Sequence, residues 1–317
     1  MFLPPPQNPQ SIGDLVGQAF RVFRQNALFV FRCLLFPSLL SALGSLGLRW
    51  CTSYSLNSQD LMPAILPLVS IALSSLLLLL WAQWTLALRN LCFVRMATGY
   101  SPTYESSYAY VRRKRWTVLA FYLLYWIVPT ALAFLWAVEL FASAWLLGAG
   151  TLFGTVALIG AILGLVGGLF GLAASLGLTS LATLIVFGVL ACEDRPLLEI
   201  LGRAIGLAIR DFWRGNAFLL LVLTALTAVF IALSLPLIVT SALEVYQGGT
   251  LAEATSQTPP WIMAFEEFWM AVVNIVLWPV LWVAGGLYYY DLRLRQEGLD
   301  IDRQIEGLEV KLGTTTM

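Results

Sequence analysis

The sequence predicts an all-α, polytopic membrane protein with about six transmembrane helices, three amphipathic interfacial helices and a threefold helix-plus-hairpin repeat. Three observations carry that expectation. Apolar residues make up 59% of the 317 and charged residues only 11%, against about 25% charged in an ordinary soluble domain, too few to build a solvated surface. Several apolar runs exceed the roughly 20 residues needed to cross a hydrocarbon core, and between Trp116 and Cys192 the only Asp, Glu, Lys or Arg is Glu139. Finally, 17 of the 18 Lys and Arg residues fall in four zones, 21–32, 89–115, 195–214 and 293–311, with only Arg49 elsewhere.

The first ten residues, "MFLPPPQNPQ", are a proline-rich lead-in with no signal-peptide pattern. In "SIGDLVGQAFRVFRQN", Ile12, Leu15, Val16, Ala19, Phe20 and Phe23 recur at helical spacing opposite Asp14, Gln18, Arg21 and Gln25, the pattern of an interfacial helix. Spans are predicted at about 28–49, 62–88, 117–138, 168–191, 217–243 and 264–290. Connections after the odd-numbered spans carry Asp60, Glu139, Glu244 and Glu253; the basic zones follow the even-numbered spans or lie toward the termini. The positive-inside rule then places both termini in the cytoplasm. Residues 141–166 are left over, apolar and uncharged. They read as an extended, tilted helix with a break, or else as an interfacial helix or a re-entrant element.

"SPTYESSYAYVRRKRW" and "RPLLEILGRAIGLAIRDFWRGN" each precede a pair of spans, as the first amphipathic stretch does, and each following span holds a proline: Pro37, Pro129 and Pro236. The single domain, 11–300, thus divides into repeat units of about 11–100, 101–193 and 194–300, followed by a 301–317 tail.

Between residues 160 and 171, "GAILGLVGGLFG" places Gly160, Gly164 and Gly168 at every fourth position. A phosphate loop would need a strand-to-helix junction and usually a lysine. Here the glycines form a smooth helical ridge suited to close packing against another helix, within the chain or between subunits.

Catalytic chemistry is hard to assemble. The chain has no histidine and four scattered cysteines, which removes Ser-His and Cys-His catalysis and leaves no metal-ligand spacing. No cofactor motif is present. Three acidic residues, Glu139, Glu266 and Glu267, define a candidate outer vestibule, read alternatively as interfacial residues beside Trp136, Trp261 and Trp269. The run Arg112, Arg113, Lys114 and Arg115 is the candidate contact for anionic lipid. Arg89 and Arg95 are expected to snorkel toward headgroups, and Asn274 to bond another helix. The short basic zones border spans and accompany no nucleic-acid module, so nucleic acid is not an expected partner.

At the carboxyl end, "YYYDLRLRQEGLDI" (288–301) places Tyr289, Tyr290, Asp291, Arg293, Arg295, Glu297 and Gly298 in a signature. With the first amphipathic stretch, it resembles the bacterial integral membrane proteins grouped with the glycerophosphoryl diester phosphodiesterase membrane domain. The resemblance implies a bacterial inner-membrane location and the interfacial-helix architecture. It implies no hydrolase, because the family's phosphodiesterase activity belongs to a separate soluble barrel domain. Read physically, Tyr288 to Tyr290 anchor the last span at the interface, Asp291 pairs with Arg295, and Gly298 stops the helix. The expected function is a non-catalytic accessory, assembly or lipid-organising component, with membrane lipids and another membrane protein as partners. The alternative is a transporter of a small solute or lipid.

Overall fold

Proline, glycine and charge punctuate a chain that is otherwise helical throughout the described residues. The structure, a computed structural model, describes residues 8–57, 65–148, 150–248 and 259–297. Asp60, Glu253, Gly298, the Glu244 side chain, most of the lead-in and the 301–317 tail lie outside that description.

Nine helices are described. Helix α1 is Ile12–Asn57 and α2 is Ile65–Ala97. Gly99, at φ 77°, turns the chain in a left-handed conformation that glycine adopts without strain, and Thr103 then caps α3 (Tyr104–Arg113) by accepting from the Ser106 amide. The long hairpin of α4 (Arg115–Gly148) and α5 (Gly150–Cys192) follows. Helix α6 (Leu197–Arg210) leads through Asp211 to α7 (Phe212–Leu233). After a break at Ser234, α8 (Leu235–Gly248) continues the crossing, with Pro236 in its first turn, where a missing amide costs no helical bond. Helix α9 is Pro260–Glu297.

Six of these helices are long and apolar enough to cross a membrane, as the sequence predicts. One boundary differs. The first amphipathic stretch is no separate helix, because no glycine or proline interrupts the junction and α1 runs unbroken from residue 12. Of the leftover stretch, residues 141–148 belong to α4 and 150–166 to α5, in line with the extended-helix reading. At 1.5 Å per residue, the 43 residues of α5 span about 64 Å, roughly twice a hydrocarbon core.

The bundle is organised around α9. Within the apolar windows of the six candidate spans, 61% of α9 is buried, against 11–33% in the others. The remaining helices leave Leu66, Leu77, Phe134, Phe141, Phe170 and Leu220 more than 60% exposed, apolar surface suited to lipid contact. At one end of the bundle, the start of α1, the end of α2, α3, the α5–α6 link, the start of α7 and the end of α9 are joined by polar contacts. At the other end, Arg49 on α1 meets the start of α9. The described residues of the basic zones therefore lie toward one end, the basic end.

Candidate functional site

Two polar constellations stand out against this apolar background. The first knits the basic end. Glu193, only 9% exposed at the end of α5, receives the Tyr289 hydroxyl and lies 3.0 Å from Arg203 and 2.8 Å from Arg195. Lys114 donates to the Glu193 carbonyl and pairs with Asp194 at 3.0 Å. On the next turn of α9, the fully buried Asp291 accepts from the Gln10 amide at 2.7 Å, Arg214 at 2.6 Å and Arg295 at 2.9 Å. Tyr288 donates to Asp211 at 2.8 Å and stacks on Phe218, while Arg293 joins Glu297 and the Tyr100 hydroxyl. A carboxylate at each buried position is held by two or more cations or donors, the condition under which buried charge is tolerated.

This revises several sequence readings. Tyr288, Tyr289 and Tyr290 are 0% exposed; they are core residues, because α9 is surrounded where a peripheral helix would meet headgroups. Arg89 donates to the Cys33 carbonyl, and Arg95 donates to the Ala191 carbonyl at 2.5 Å with its guanidinium 3.7 Å from the Tyr110 ring centroid. Both therefore bind inward rather than snorkelling. Lys114 is also turned inward, leaving Arg112, Arg113 and Arg115 exposed beside Trp116 and Tyr108 in an open groove. Burial pushes the Tyr104 phenol, on the same groove, above its ordinary pKa. Asp291 does pair with Arg295.

The second constellation lies at membrane depth among α1, α2, α4, α5 and α9. A chamber of about 290 Å³ is lined by Ser38, Gln83, Asn90 and Asn274, with Tyr122, Tyr125, Phe187, Trp278 and Trp282. An adjoining space of about 160 Å³ shares Ser38, Gln83, Asn274 and Trp278, and adds Ser41, Ser45 and Glu267. It thus runs toward the end of the bundle where Arg49 stands 2.5 Å from Glu266 and 3.6 Å from Glu267. Toward the basic end the chamber stops at Phe187 and Trp282, stacked with centroids 3.8 Å apart. Gln83 donates to Ser41 at 2.9 Å. Ser38 and Asn90 are each 3% exposed, and among the described residues Ser38 Oγ and Asn90 Oδ1 have no hydrogen-bond partner.

Of the candidate vestibule residues, Glu266 and Glu267 converge on Arg49, and Glu267 reaches the polar space. Glu139 sits apart from that pairing, exposed on the α4–α5 hairpin with its carboxyl carbon 3.6 Å from where a Cβ at Gly168 would stand. Several of the glycines of 160–171 lie against α4. A Cβ at Gly164 would meet Ser143 Oγ at 2.5 Å, one at Gly168 would meet Leu140 at 3.0 Å, and one at Gly171 would strike the Trp136 ring. At Gly160 no described atom lies within 4 Å of such a Cβ; Gly164, Gly168 and Gly171 face α4 inside the chain.

Ser38, Ser41, Gln83 and Asn90 were not apparent as site residues from sequence. A signal existed: Ser38, Ser41 and Ser45 are spaced i, i+3, i+7 in α1, as Gln83 and Asn90 are spaced i, i+7 in α2, a polar stripe inside apolar helices. Among the described residues, no group of three or more His, Cys, Asp or Glu side chains is placed to hold a metal ion. Comparisons with family models, curated proteins and solved structures find no match.

Proposed function

We propose that this protein is a non-catalytic transporter that takes a small polar solute, or the polar part of a lipid, into the chamber among α1, α2 and α9. One observation carries the reading: Ser38, Gln83, Asn90 and Asn274 meet from three helices on a mainly apolar chamber, and Ser38 Oγ and Asn90 Oδ1 have no hydrogen-bond partner among the described residues. A polar group left unsatisfied costs about 1–3 kcal/mol, and a ligand with a hydroxyl or amide would remove that cost. The Phe187–Trp282 stack closes the chamber on one side while polar residues lead away from it toward Glu267, as expected of one state of an alternating carrier.

Proteoliposomes provide the test. Uptake of labelled glycerol and flip of a fluorescent lipid are measured in the parent and in Asn90→Leu and Asn274→Leu, with folding checked by size-exclusion elution. Saturable movement of either probe, lost in both variants, is the expected outcome. A parent protein that moves neither probe would return the function to the lipid-organising reading.

That second reading is supported by a different feature, the exposed Arg112, Arg113 and Arg115 beside Trp116 on and after α3, where anionic headgroups would be attracted. The threefold repeat belongs to the proposal too: α3 and α6 precede hairpins as the start of α1 precedes its own. So does kinship with the phosphodiesterase membrane-domain family in a bacterial inner membrane, with both termini cytoplasmic. What supports it is that Tyr289, Asp291, Arg293, Arg295 and Glu297 of the carboxyl signature all have polar partners at the basic end, in two clusters around Glu193 and Asp291.

A further inference from the structure

Chamber and lipid-facing surface meet at one residue. Tyr125 lines the polar chamber and also a groove of about 270 Å³ between α4, α5 and α6, walled by Phe121, Leu124, Val128, Leu178, Ala182 and Val186. The two spaces differ in chemistry across that ring: the chamber sets the amides of Gln83, Asn90 and Asn274 and the Ser38 hydroxyl among aliphatic and ring carbons, whereas the groove's side-chain polar groups besides Tyr125 are the hydroxyls of Thr179 and Thr183. Ionisable groups further restrict the occupant. Among the described residues, Glu267 is the one carboxylate on the chamber and its adjoining space, it lies near Arg49, and no Lys or Arg lines either. A phosphate entering there would be an uncompensated buried anion.

We infer that the ligand is an amphiphile with an uncharged, hydroxyl-bearing head. The head sits in the chamber against Ser38, Asn90 and Asn274, and an acyl chain passes Tyr125 into the apolar groove. This deepens the transport reading and rests on it for the chamber. The groove and the exclusion of charged heads are independent of it. The two chamber volumes suit a headgroup rather than a whole lipid, being at or below the lower end of typical small-molecule pockets, about 300 Å³. The rest of such a molecule therefore lies outside the chamber, and the groove beside Tyr125 provides a place for it.

The experiment uses the purified full chain in detergent, mixed with dioleoylglycerol, dioleoylphosphatidylglycerol or free glycerol, and counts bound molecules by native mass spectrometry. One dioleoylglycerol should be retained per chain, with phosphatidylglycerol held about tenfold more weakly, the ratio that corresponds to 1.4 kcal/mol. Asn90→Leu in the chamber and Leu178→Trp in the groove should each weaken dioleoylglycerol retention by a similar factor. Three outcomes would overturn the inference. Phosphatidylglycerol held as well as dioleoylglycerol would refute the uncharged head. Equal retention by the parent and both variants would mean annular lipid only. Binding of glycerol without dioleoylglycerol would refute the amphiphile while leaving small-solute transport standing. The comparison of the three ligands on the parent chain needs no variant to fold.

Discussion

The two halves of α5 make opposite use of similar residues. From Leu181 to Ala191 the helix is packed on several sides, with Leu181, Ile185, Val189 and Leu190 at 0% exposure. From Gly160 to Gly171 it touches chiefly α4, and Ile162, Leu163, Leu169 and Phe170 are exposed. Both halves are apolar, and both contain glycines where another element comes close. In the inner half, Gly188 lies against Tyr289 Cβ, an atom fixed to the α9 backbone; in the outer half, Gly164 faces the rotatable Ser143 hydroxyl. The contrast teaches that a glycine's importance in a membrane bundle is set by how rigid its neighbour is.

The largest effect that would sharpen this contrast is expected at the base of the inner half. Asp291→Ala leaves Arg214, Arg295 and the Gln10 amide without their shared acceptor. Breaking a buried pair typically costs about 3–5 kcal/mol; because both arginines keep partial solvent access, a loss of about 2–3 kcal/mol is expected. Denaturant titration in detergent micelles reads it, and a variant within error of the parent would show that the network contributes little. Next comes Gly188→Ala. The added methyl must displace Tyr289 or separate α5 from α9, an overpacking cost of about 2 kcal/mol, visible as a lower midpoint in thermal unfolding.

The outer half should respond less. Gly164→Leu forces the hairpin arms apart at Ser143, with an expected loss of about 1 kcal/mol. Gly160→Leu, placed in open space, should stay within about 0.5 kcal/mol of the parent. Thermal stability and size-exclusion elution of the pair, recorded side by side, would break the comparison if Gly160→Leu were the worse of the two. A change of oligomeric state in either would move the ridge from the hairpin to a subunit interface.

Legibility from sequence followed what each signal encodes. The glycine spacing reads as a helix contact and gives its period, yet that Gly164, Gly168 and Gly171 meet Ser143, Leu140 and Trp136 depends on α4. The basic run Arg112 to Arg115 was visible as charge, while the inward turn of Lys114 follows from Glu193 and Asp194, some 80 residues away. Tyr288 to Tyr290 carry the residue types of an interfacial belt, and only the surrounding helices make them core. Asn274 was noticed alone; its place beside Ser38 and Gln83 needed three helices assembled.

Legible in the chain alone are the membrane class, six stretches long and apolar enough to cross, and the bias of the described basic residues toward one end of the bundle. These rest on composition, on the length needed to cross hydrocarbon and on charge bias, all of which are properties of a chain read locally. Tertiary structure alone decided which helix lies at the centre, which polar groups share a chamber and which arginines turn inward. The physical reason is the solvent. In water, the buried face of a helix is the apolar one, so periodicity reveals it. In lipid, the inward and outward faces are both apolar, and helix association depends on close packing and a few polar bonds. The chamber at Ser38 and Asn90 is therefore encoded by partners far apart in sequence, and it becomes a site only when α1, α2 and α9 are brought together.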